Sequence, residues 1–120
     1  MVRGVRGAST VDENSKAAIV EETRLLLSAM LSENSIALDD IASILFTLTP
    51  DLDAEFPAVA ARELGFSDVP LICASEIPVP GALASCVRVL IHWNTDKKAA
   101  DIHHVYLKKA TSLRPDKQKA

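Results

Sequence analysis

Four arginines and a tyrosine (Arg6, Arg62, Arg88, Arg114 and Tyr106) are the residues of this chain whose types converge on one chemistry. A guanidinium fork matches a carboxylate in bidentate fashion, and a phenol adds one more donor. Such a set suits a small ligand with more than one negative charge. Solvated surface cations are the plain alternative, because arginine is mostly exposed. Arg88 poses the question most sharply. It stands in Cys86-Val87-Arg88-Val89-Leu90-Ile91-His92-Trp93, where Val87, Val89, Ile91 and Trp93 alternate with Cys86, Arg88, Leu90 and His92. The first set can face a core. The second places a charge in mid-strand, and such a charge needs an anionic partner once it leaves water.

Other chemistries find less support. His103 and His104 alternate to opposite sides of a strand, and His92 has no acid or cysteine at ligand spacing, so no metal site is expected. Cys73 has no identifiable base, and neither a nucleophile elbow nor a glycine-rich phosphate loop occurs. Glu76 has no second carboxylate beside it for acid–base work.

The elements that must position these residues fit in one domain of 120 residues. The chain is 48% hydrophobic and 24% charged, the balance of a globular protein. Aromatics are only 4%, so the core is aliphatic and a base-stacking nucleic-acid surface is not expected. The net charge of −3 divides into −8 over residues 1–96 and +5 over 97–120. Without aromatic interleaving, the basic end reads as a solvated terminus. Two cysteines, Cys73 and Cys86, do not make a disulfide framework. With neither a signal-like start nor an apolar run of membrane length, a cytoplasmic protein without membrane or nucleic-acid partners is expected.

Strands are expected over 2–8, 41–49, 69–75, 86–95 and 104–109, and helices over 16–32 and 56–65. The first helix starts at Asn14-Ser15 and carries the stripe Ile19, Thr23, Leu26, Leu27, Met30 and Leu31, with Glu21, Glu22 and Arg24 off it. Asn34 is its expected left-handed cap. The second opens on Pro57 and closes on Gly65. Glycines 4 and 7 in the first strand mark a close approach or a bulge. The fold class is α+β, a five-stranded mixed sheet with two main helices. Strands joined through helices should be parallel neighbours and the later ones antiparallel. An apolar sheet with so little helical cover invites oligomerisation. Residues 1–113 form the domain, and 114–120 read as a flexible tail.

Six segments, in order and nearly end to end, carry a resemblance. They are Arg3-Gly4-Val5-Arg6-Gly7-Ala8-Ser9-Thr10-Val11, Thr49-Pro50-Asp51-Leu52 with Phe56-Pro57-Ala58, Val69-Pro70-Leu71, Cys86-Val87-Arg88-Val89, His104-Val105-Tyr106-Leu107 and Leu113-Arg114-Pro115-Asp116. Together the chain resembles the short monofunctional chorismate mutases of mixed α/β fold. The resemblance implies a pseudo-barrel homotrimer with active sites in clefts between subunits. It also implies the pericyclic conversion of chorismate to prephenate in aromatic amino-acid synthesis, without cofactor or metal. Carried over by position, Arg6 and Tyr106 hold a substrate carboxylate, Arg88 faces the breaking ether oxygen, and Glu76 takes the ring hydroxyl and helps place Arg88. Leu71, Ile72 and Cys73 line the pocket, Phe56, Ala58 and Arg62 form a wall with a cation, and Leu113 and Arg114 close the mouth. Val59 stands where some relatives have lysine, Ile72 where some have threonine, and the turn before Val69 is one residue shorter. A trimeric anion-binding module without turnover is the alternative, and an interaction protein with incidental arginines a third.

Overall fold

The computed structural model describes residues 1–113; Arg114 and the tail expected over 114–120 lie outside the described residues. Five strands and two helices follow in the order β1 (Val2–Thr10), α1 (Lys16–Asn34), β2 (Ile41–Leu48), α2 (Ala58–Glu63), β3 (Leu71–Ser75), β4 (Cys86–Asn94) and β5 (Val105–Tyr106). Short 3₁₀ turns span Leu38–Asp40, Ala99–Asp101 and Lys108–Leu113.

The strands make one mixed sheet ordered β3-β2-β4-β1-β5. The alternating segment that holds Arg88 is its centre. β4 runs antiparallel to β1 on one side and to β2 on the other, with Arg88 opposite both Ala8 and Thr47. β2 and β3, joined through α2, are parallel neighbours as expected. β1 and β2, joined through α1, are not neighbours, because β4 lies between them. β5 is also a correction: it pairs with β1, and in parallel.

The two sheet faces differ. Val87, Val89, Ile91 and Trp93 are buried together with Val5, Ile44, Phe46 and Leu48 under the helices. From α1, Ile19, Leu26, Leu27 and Met30 fill the same core. Gly7 lets α1 come this near, since a Cβ there would strike Met30 Sδ and sit 3.1 Å from Leu26 Cδ1. On the opposite face lie Arg6, Leu45, Thr47, Arg88, Leu90 and His92, all exposed or half-buried. A small second cluster of Ala8, Cys86 and Ala110 covers one end of it.

Ends and turns follow from local chemistry. Ser15 caps α1 by accepting the Ala18 amide at 3.1 Å. At the other end Ser35, not Asn34, takes the left-handed conformation, with φ 54°. The Asn34 side chain is instead buried and tied to a distant loop. Glu22 also departs from expectation. It is buried, accepts from the Ser9 hydroxyl at 2.9 Å and pairs with Lys108 at 3.2 Å. The Asp51 carboxyl, held below the usual range by the Thr49 hydroxyl and then by Ser85, ties the turn after β2 to the start of β4.

Candidate active site

β4 delivers Arg88 to the open face, β1 delivers Arg6, and β5 delivers Tyr106. These residues line one cleft of about 410 Å³, together with Gly7, Ala8, Leu45, Thr47, Val89, Leu90 and Leu113. The register explains the convergence. Arg6 faces Leu90, Thr47 faces Arg88 across the other side of β4, and Tyr106 faces Ala8. Leu113 reaches the cleft from the last 3₁₀ turn.

Glu76 stands just beyond β3, where its amide donates to the Leu48 carbonyl at 2.9 Å. Its Oε2 lies 3.6 Å from Arg88 Nε and also accepts from the Thr47 hydroxyl. The carboxylate is therefore aimed from two directions. The guanidinium keeps about half of its side chain exposed, at 47%, while Glu76 keeps 24%. Arg88 is thus oriented by Glu76 and still free to meet a ligand. Nearby, burial pushes the Cys86 thiol up, so it stays protonated and apolar.

The remaining expected residues do not join this cleft within one chain. Cys73 pairs with Phe46 and therefore points to the helix face of the sheet, opposite to Arg88. It lines a second recess of about 510 Å³ with Phe56, Leu48, Leu52, Ala74 and Ser75. Phe56 is 67% exposed there. Arg62 and Leu71 line a third recess with Phe66 and Val69. Ile72, 64% exposed, lies on the open face beside Leu45. Ala58 is buried in the core. Arg114 is outside the described residues.

Thr47 was not singled out from the sequence. Its signal was parity: it alternates with Phe46 and Leu48, so it shares a face with whatever opposes it on β4. Among the described residues, no three His, Cys, Asp or Glu side chains form a group that could hold a metal ion. Nor is any described helix long and apolar enough to cross a membrane.

The family model described as chorismate mutase type I matches residues 2–117. Chorismate mutase AroH of Thermus thermophilus is 50% identical over 121 residues, covering 100% of this chain and 99% of the relative. The protein of the same name from Bacillus subtilis strain 168 is 44% identical over 117 residues, covering 97% and 92%. A solved chorismate mutase from Clostridium thermocellum superposes with a TM-score of 0.91 at 51% identity, over 92% of this chain and 99% of that one. By sequence and by fold, the chain belongs to the chorismate mutase type I family.

Proposed function

We propose that the chain rearranges chorismate to prephenate in a site that two copies build between them, within a homotrimer. Membership of the family makes it an isomerase of aromatic amino-acid biosynthesis. The division of the expected residues between opposite sheet faces carries the proposal for their roles. Arg6, Arg88 and Tyr106 open on one face, whereas Cys73 and Phe56 open on the other. A chain cannot fold these two sets onto each other, but a neighbouring copy can bring the second set to the first. The exposed apolar side chains of Ile72, Ile77 and Val79, in and just after the outer strand β3, and of Phe56, which shares a recess with Cys73, supply a surface for that contact.

In this reading Arg6 and Tyr106 hold a carboxylate of the substrate. Arg88 faces the ether oxygen. As the C–O bond lengthens and the new C–C bond forms, electron density gathers on that oxygen. A fixed cation there stabilises the transition state more than the bound substrate. All atoms stay within one molecule, and the step requires no proton transfer to a side chain. Glu76, aimed by Thr47, accepts from the ring hydroxyl and holds Arg88 in place. Phe56, Arg62, Leu71, Ile72 and Cys73 come from the neighbouring copy, and Leu113 lies at the mouth. Confinement of the enolpyruvyl arm over the ring supplies the orientational part of the rate gain. We place the enzyme in the cytoplasm, where its two free cysteines match a reducing compartment.

Purified protein added to chorismate, with chelator and no cofactor, should consume its absorbance and yield prephenate, while sedimentation shows three copies. Saturable binding without turnover would overturn the catalytic reading in favour of an anion-binding module. Full turnover by a monodisperse single chain would overturn the shared site.

A further inference from the structure

Arg6 lies where the sheet is thinnest. On one side β1 pairs with β4 along its whole length. On the other, β5 offers only two residues, opposite Gly7 and Ala8. The Arg6 amide falls one position before that short ladder begins, with no strand carbonyl to receive it. It donates instead to Nδ1 of His104, at 3.0 Å. An amide can donate only to an unprotonated nitrogen, so the network assigns His104 as a neutral ring with its proton on Nε2. The imidazole extends the ladder by one acceptor, at the residue whose side chain enters the cleft.

The backbone just before His104 is held in turn. Asn34, only 1% exposed at the end of α1, accepts from the His103 amide at 2.8 Å and donates to the His103 carbonyl at 2.8 Å. It also donates to the Met30 carbonyl at 3.0 Å. This buried amide engages both backbone groups of residue 103, as a neighbouring strand would. The next residue in the chain is His104, and two further on is Tyr106. One tether from α1 therefore holds the backbone that leads to His104 and to the cleft residue Tyr106.

We propose that His104 is a positioning residue for substrate binding. Its unprotonated Nδ1 locks the Arg6 backbone, and so sets the guanidinium at a fixed spacing from Tyr106. The proposal rests on the reading that Arg6 binds a substrate carboxylate. Because that contact is present in substrate and transition state alike, loss of the lock should raise KM more than it lowers kcat.

Three substitutions separate this from a structural role. His104→Asn places an amide oxygen near the position of Nδ1, His104→Gln places one near Nε2, and His104→Leu has no acceptor. With chorismate as substrate, His104→Leu and His104→Gln should each raise KM about tenfold, the effect of one lost hydrogen bond, with kcat within a few fold. His104→Asn should restore KM to within a few fold of the parent. In the parent, the ¹⁵N spectrum of His104 should show Nδ1 unprotonated. Rescue by glutamine rather than asparagine, equal losses in all three, unchanged KM in His104→Leu, or a protonated Nδ1 would each overturn the proposal. Arg6→Ala, run alongside, isolates the premise. If it leaves KM unchanged, the role given to Arg6 fails, while the spectrum still decides whether His104 accepts from its amide.

Discussion

Arg88 and Glu76 sit 3.6 Å apart, both reached by water. A pair so exposed adds under about 1 kcal/mol to the fold. Its value lies in direction: the carboxylate, held by Thr47, aims the guanidinium at the cleft. Arg88→Ala and Arg88→Lys should therefore fold with near-parent melting temperature yet lose about 10²–10³ in kcat, the loss typical of a removed transition-state donor. Steady-state kinetics beside thermal melts checks this, and near-parent kcat in either variant would remove Arg88 from the chemistry. The cations were legible because strand alternation alone sends Arg88 away from the apolar set. The face of Thr47 was legible by parity but its partners were not, because they depend on a cross-strand register that no local pattern specifies. His104 escaped for a similar reason. Its partner is a backbone amide 98 residues away.

The helices and the long strands follow from periodicity and caps, and they emerged within a few residues of expectation. Gly7 shows why one strand position tolerates nothing larger: α1 lies directly on it through Met30 and Leu26. Gly7→Ala should destabilise the protein by about 1–3 kcal/mol, the usual result of overpacking. Denaturant unfolding would measure it, and an unchanged midpoint would show that α1 can shift without penalty. The last strand resisted prediction. Val105 and Leu107 alternate with Tyr106 in the strand expected over 104–109, but the strand ends at Tyr106 and the backbone turns left-handed at Lys108, with φ 51°. There Lys108 pairs with Asp12 at 3.1 Å and with Glu22 at 3.2 Å, contacts with other elements that the local pattern does not show. Glu22 lies off the apolar stripe of α1, and helical periodicity does not foresee a partner from another element.

At the scale of the molecule, the sheet is covered on one side and open on the other. The open side holds the cleft, and the outer strand presents exposed Ile72. Ile72→Glu would force a charge into the proposed contact between copies, where it has no partner and little water. Such a variant should sediment as a single folded chain and lose at least about tenfold in turnover. An intact assembly with full activity would place the contact elsewhere. The topology also has a temporal consequence. β1 is made before the other four strands of this sheet, yet its two partners there are β4 and β5. Its register is built on residues 86–94 and 105–106, which follow every other strand of the sheet. The first strand must therefore wait, unpaired, until residues 86–106 have been made. Contacts of such long sequence separation form slowly, so the nascent protein exposes its glycine-bearing first strand for longer than any other part of the sheet.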